Sequence, residues 1–266
     1  MRSSKYLLCL SLALAFIFVA QAQITSAQIP GMPKLYGEFK MPEVGAYATY
    51  KVVNIENKVE RITKLSIVGM EPAEGSVAKI VSEGGVMKIV DSSGVAKKYT
   101  PKAGDLYWYE VAETDPKTGV VVIVKMLISG NPQDIGTIQR MIMKDGKEAA
   151  TELPPEILAM INAAPADTTK PAKPKMMNLG TVKVKVQDKT LECAHMKYIS
   201  GDETTTEVWT NIEIPLFGMV KSTSATTTME LLEYGTDAVS AIKEKAEVLP
   251  MPEGQTPEVH PTPGEN

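Results

Sequence analysis

The 266-residue chain is poor in the residues that most often carry chemistry. It has two cysteines, two histidines, two tryptophans and three arginines (Arg2, Arg61, Arg140), and aromatics make up only 6% of it. Two cysteines cannot build a disulfide framework or a cysteine-based zinc site. Two histidines exclude a His triad and a His-rich metal centre. There is no excess of positive charge: 28 basic residues against 32 acidic ones give a net charge of −4. That balance argues against nucleic acid as a partner. No G-x-S-x-G elbow occurs, no histidine is placed to serve a serine or cysteine, and no G-x-x-x-x-G-K-[ST] phosphate loop is found. Carboxylates are plentiful, but no pair falls in a recognisable motif. The expectation is a protein that is not an enzyme and needs no cofactor or metal.

Long apolar runs are also scarce, with one exception at the start. Residues 1–22 have the form of a secretory signal peptide: Arg2 and Lys5, then the apolar stretch Leu7 to Ala20, then Ala20-Gln21-Ala22 as an A-x-A-type cleavage site. The apolar stretch is shorter than the roughly 20 residues needed to span a bilayer. Leu7-Leu8-Cys9 lacks the small residue that a lipobox needs before its cysteine. A periplasmic or secreted protein, not membrane-spanning after cleavage, is expected. Loss of the leader leaves 26 basic and 32 acidic residues, a charge of −6, and a single thiol at Cys193.

What the sequence does have is strand signal almost without a break. Residues 23–43 form a Gly/Pro-punctuated lead-in. From Ala46 onward, β-branched and aromatic runs of five to ten residues follow at close spacing. Leu106 to Val111 and Val120 to Ile128 flank Asp115-Pro116-Lys117-Thr118-Gly119 and predict a hairpin. Glu156 to Asn162 predicts a helical turn. Residues 163–175, rich in Ala, Pro, Lys and Thr, read as a linker or surface loop. Val182, Val184 and Val186 alternate with Lys183 and Lys185. With Asp188-Lys189 as a two-residue turn, Val186 would face Leu191, Val184 would face Cys193, and Val182 would face His195. Helical spacing of Val239, Ile242, Ala246 and Leu249 predicts a short helix over 237–248. The proline-rich residues 250–266 read as a disordered tail. The fold class is therefore mainly β: one domain over 44–249, built on a large curved antiparallel sheet or an unclosed β-barrel with one or two short helices. A parallel α/β fold would need helices between the strands, and the gaps are too short.

Candidate binding residues follow from this pattern. Tyr107, Trp108, Tyr109 and Trp209 are large aromatics on strands that could line a ligand cavity. Alternation puts Tyr107 and Tyr109 on one face and Trp108 on the other. Arg140 could anchor a head group. Met141 is one of 15 methionines, which suit adaptable packing or the lining of a pocket for a floppy apolar ligand. Cys193 and His195, two apart on one strand face, lack a third metal ligand and are expected in the core.

Several segments together resemble a known group. They are Gly45-Ala46-Tyr47-Ala48-Thr49-Tyr50, Leu106-Tyr107-Trp108-Tyr109-Glu110, Ile138-Gln139-Arg140-Met141-Ile142, Glu207-Val208-Trp209, Ile214-Pro215-Leu216-Phe217-Gly218-Met219-Val220-Lys221 and Glu230-Leu231-Leu232-Glu233-Tyr234-Gly235. The chain resembles exported bacterial proteins of the lipoprotein-carrier-like (LolA/LolB-type) superfamily. The resemblance implies an unclosed antiparallel barrel wrapped around helices, with an apolar concave face for acyl chains and no catalytic residues. The expected partner is a lipid or a lipoprotein acyl chain; the alternative is an envelope protein bound by a scaffold module without a small ligand.

Overall fold

β-branched and alternating segments joined by short turns pair with their sequence neighbours, and that rule builds most of the molecule. The computed structural model describes residues 43–72, 79–83, 86–90, 95–100, 102, 104–129, 137–163, 175–199, 203–216 and 218–249. The expected signal segment, the lead-in up to residue 42, the interior of the 163–175 linker and the 250–266 tail lie outside the described residues. The strands are β1 (Tyr47–Asn54), β2 (Glu60–Glu71), β3 (Lys79–Glu83), β4 (Val86–Val90), β5 (Ala96–Lys98), β6 (Leu106–Thr114), β7 (Val121–Ser129), β8 (Ile138–Asp145) and β9 (Thr151–Glu152). One helix among the described residues, α1 (Pro155–Ala163), precedes β10 (Lys175–Val186), β11 (Lys189–Ile199), β12 (Thr205–Thr210), β13 (Met219–Thr223), β14 (Thr227–Gly235) and β15 (Glu247–Val248).

Twelve strands form one sheet in the order β10-β11-β12-β13-β14-β1-β2-β6-β7-β8-β9-β15. Its two end strands do not pair, so the sheet is unclosed and curved, as the sequence predicts. Strands β3, β4 and β5 make a separate three-stranded sheet inserted between β2 and β6. The predicted turn at Asp115 closes the β6–β7 hairpin: Asp115 Oδ1 accepts the Lys117 amide at 2.8 Å, and Gly119 takes a φ of 68°. The long-range closure is between β1 and β14, where Ala48 lies opposite Tyr234.

Curvature is visible in which residues touch. In the sheet order β10 and β1 are five places apart, about 24 Å if the sheet were flat. Yet Val186, Leu191 and Cys193 share one core with Ala48, Tyr50, Met229 and Leu231. Strand β12 pairs with β11 only from Ala194 to Ile199, so the tip of the β10–β11 hairpin is a two-stranded arm. This arm folds back over β14 and β1. At its tip Lys189 Nζ donates to Tyr234 Oη at 3.4 Å.

The other half of the same sheet face is covered by α1. Leu158, Ile157 and Ile161 pack on Val124, Met126, Met141 and Met143. Pro155 suits a first helical turn, where its missing N–H leaves nothing unsatisfied. Asn162 fastens the helix end by accepting from the Ile138 amide at 3.0 Å and donating to the Ile138 carbonyl at 2.8 Å. Val111 belongs to the cores under both covers, so arm and helix lie on one face. We call it the inner face.

Two expectations need correction. The β10–β11 turn is Gln187-Asp188, with Gln187 at a φ of 53°, so Val184 faces Leu191 and Val182 faces Cys193. A bulge between Asn178 and Gly180 then sets Gly180 opposite His195. The segment 237–248 is not a helix. It runs as irregular chain into β15, which pairs parallel with β9. Its start is fixed at Gly45, where a Cβ would collide with the Thr236 carbonyl and where Ala238 N donates to the Gly45 carbonyl at 2.8 Å.

Candidate functional site

The inner face is continuous in apolar side chains along β2 and β6, between the arm and α1. Leu65 is opposite Val111 and Ile67 is opposite Tyr109, and all four point to this face. Tyr107, 0% exposed, packs with Val44, Ile67, Met70, Tyr99, Tyr109 and Leu216. Each end of this lane carries a buried hydroxyl with no hydrogen-bond partner among the described residues: Tyr107 Oη and Thr63 Oγ1. Thr63 pairs with Glu113, six residues along β6 from Tyr107, so the lane is about 20 Å long. The contrast is Tyr50, equally buried on the same face, whose phenol donates to the Met219 carbonyl at 3.0 Å. Burial pushes the Tyr50, Tyr107 and Tyr109 phenols up, so all three stay protonated donors.

A buried carboxylate stands behind Tyr107. Asp105, 0% exposed, accepts the Tyr99 hydroxyl at 2.8 Å and the Lys102 amide at 2.6 Å. At the far end, burial raises the Glu113 carboxyl, and Arg61 opposes that shift from 3.3 Å.

The opposite, outer face of the same strands holds a charged network. Trp108 lies over Gly69, where a Cβ would come within 3.4 Å of the indole. Its Nε1 donates to Glu71 at 2.9 Å. Lys125 and Arg140 stand over the ring at 5.0 and 5.1 Å. Arg140 grips Glu152 with two bonds, 2.7 and 3.0 Å. Glu110, buried, accepts the Ser240 hydroxyl at 2.6 Å and the Ala241 amide at 2.9 Å, and Lys125 Nζ donates to Ser240 at 3.2 Å. Burial lowers the Lys125 ammonium and Glu110 counteracts it. The segment 236–249 is thereby held over this face, with Ile242 packed beside Trp108, Ile123 and Ile142.

The residues selected from sequence fall in three places. Tyr107, Tyr109 and Met141 share the inner face. Trp108 and Arg140 meet on the outer face. Trp209 is five strands from β6, stacked on His195 at 4.2 Å between ring centroids. His195, expected in the core with Cys193, is half-buried and bonded to Glu207 at 2.9 Å. Cys193 is in the core, and burial raises its thiol. Sequence reasoning did not select Asp105, Glu110 or Thr63. The one signal was a charged residue inside an otherwise apolar run at Glu110.

Among the described residues no group of three or more His, Cys, Asp or Glu could hold a metal ion. No helix among them is long and apolar enough to cross a membrane. No family model matches the chain, and no curated protein matches it. Among solved structures, the chain is similar to one from Parabacteroides distasonis described as "a putative lipoprotein", at 12% identity and a TM-score of 0.28. That alignment covers 73% of this chain and 97% of the other.

Proposed function

We propose that the protein is an exported, non-enzymatic binding protein that receives an amphiphile on the inner face of its curved sheet. The observation that carries this reading is the β2–β6 lane. It is apolar along its length and has an unpartnered buried hydroxyl at each end. A buried hydroxyl without a partner is costly, and a ligand with an acceptor would satisfy it. The covers are separate pieces, a nine-residue helix and a two-stranded arm, so either can move without breaking the sheet. Tyr107, Tyr109 and Met141 would contact the ligand. A lipid or a lipoprotein acyl chain fits the chemistry of the lane. The test is native mass spectrometry of protein purified from its own envelope, together with uptake of a fluorescent acyl probe. Co-purifying lipid and saturable uptake are expected; absence of both would contradict the reading.

A second reading rests on the outer edge of β10. This edge strand has 12 residues and exposes Met177 and Leu179. It could accept a strand from an envelope protein, as open sheet edges do. Crosslinking from position 177 to a specific envelope protein, with no lipid bound, would favour it.

A further inference from the structure

We infer that the Thr63 end of the lane is the head-group end and that it takes a primary ammonium, held by the Glu113 and Asp115 carboxylates and the Thr63 hydroxyl. This rests on the binding reading above and names its ligand class. The two ends of the lane differ in access to water. Tyr107 is 0% exposed, whereas at the Thr63 end the side chains of Arg61 and Asp115 are 37% and 28% exposed. The charged part of an amphiphile belongs where it keeps some hydration. Alternation along β2 and β6 puts Arg61, Thr63 and Glu113 on the inner face, with Asp115 just beyond the end of β6. Opposite them on the flanking strands stand Val52, Tyr50 and Val122, none of them a cation. Two carboxylates therefore share one guanidinium. Arg61 lies 3.3 Å from Glu113 and 3.6 Å from Asp115, beyond the reach of a close charge-assisted bond, about 2.8 Å. It also gives Nη1 to the Glu60 carbonyl at 3.1 Å. Arg140, by contrast, is committed to Glu152 by two bonds at 2.7 and 3.0 Å. Glu113 is short of compensation, since burial raises its carboxyl against the pull of Arg61. The Lys117 amide, with Arg61, holds the Asp115 carboxyl below the usual range, so that charge is fixed. Thr63 supplies the feature that acidic side chains alone lack. It is 1% exposed, its hydroxyl has no partner among the described residues, and it stands opposite Glu113, with Cβ atoms about 5 Å apart in such pairs. A primary ammonium has three N–H donors and no acceptor. The Thr63 end offers it two carboxylates and a hydroxyl. A carboxylate or phosphate head would instead meet Glu113 and Asp115 as like charges.

The experiment uses the full chain and three pyrene-labelled probes with one alkyl chain, ending in a primary amine, an alcohol or a carboxylic acid. They are titrated below aggregation at neutral pH, where the amine is charged and the acid ionised. The amine should bind at least about tenfold more tightly than the alcohol, the low end for a charge-assisted hydrogen bond, and the acid should bind weakest. Glu113→Gln should bring the amine-to-alcohol ratio close to one. Arg61→Gln removes the competing cation and should raise that ratio, an independent readout if Glu113→Gln fails to fold. Equal affinity for amine and alcohol, tightest binding of the acid, a ratio unchanged by Glu113→Gln, or a ratio lowered by Arg61→Gln would each overturn the ammonium assignment while leaving the binding site in place. Saturable binding of none of the probes would overturn the binding reading and this inference with it.

Discussion

The Ser240 hydroxyl meets the Glu110 carboxylate at 2.6 Å, tying the C-terminal segment to the middle of β6 across 130 residues of chain. Glu110 also accepts the Ala241 amide, and Lys125 donates to Ser240. Ser240→Ala removes two charge-assisted hydrogen bonds, the one to Glu110 and the one from Lys125, and should cost about 2 kcal/mol. Glu110→Ala leaves the Ser240 and Ala241 donors without their carboxylate and removes the larger of the negative charges that offset the partly buried Lys125, and should cost about 3 kcal/mol. Urea unfolding measures both. A Glu110→Ala protein as stable as Ser240→Ala would contradict the central place of the carboxylate.

Removing the unpartnered hydroxyls should stabilise the empty protein. Tyr107→Phe and Thr63→Val should each raise stability by about 1 kcal/mol, because a buried polar group without a partner is lost. Tyr50→Phe should do the opposite, by about 1 kcal/mol, since its phenol is bonded to the Met219 carbonyl. Thermal melts of the three variants distinguish the cases. Destabilisation by Tyr107→Phe would mean that its hydroxyl has a partner.

The strands and short turns were legible because their signals are local. Alternation placed Tyr107 and Tyr109 opposite Trp108, and Asp115 to Gly119 marked a turn that forms. The β10–β11 register was not legible, because a slip of two residues keeps every side chain on its face and leaves the apolar pattern unchanged. The helical spacing over 237–248 was overridden by tertiary contacts. Glu110 takes the Ser240 and Ala241 donors, and β15 pairs with β9. The distance from Trp209 to the other aromatics depends on β14 lying beside β1, a pairing of segments nearly two hundred residues apart. No local pattern carries that information, and the same holds for the Asp105 and Tyr99 partnership behind Tyr107.

Cys193 reports on the arm. It is fully buried and burial raises its thiol, so the native protein should react slowly with a thiol reagent. Leu191→Ala loosens the arm where it packs on β1 and β14 and should speed labelling at least several-fold before global unfolding. Labelling that tracks global unfolding alone would show that the arm does not open separately.

Acid should weaken the outer-face network. The Arg140 guanidinium bonded to Glu152 holds that carboxyl below its ordinary value. A lowered folded-state pKa contributes stability that is full above the unfolded value, about 4.3, and is lost as pH falls through the folded value. The parent protein should therefore lose more stability than Glu152→Gln between about pH 5 and pH 2. Parallel pH profiles of the two would contradict the assignment.

The most direct measurement is photo-crosslinking with a diazirine-bearing acyl ester, followed by peptide mapping. Saturable adducts should fall on inner-face residues of β2 and β6, at Ile67, Tyr107 and Tyr109, and be displaced by the unlabelled ester. Adducts confined to Trp108 and its outer-face neighbours, or scattered and unsaturable over the surface, would contradict an amphiphile site on the inner face.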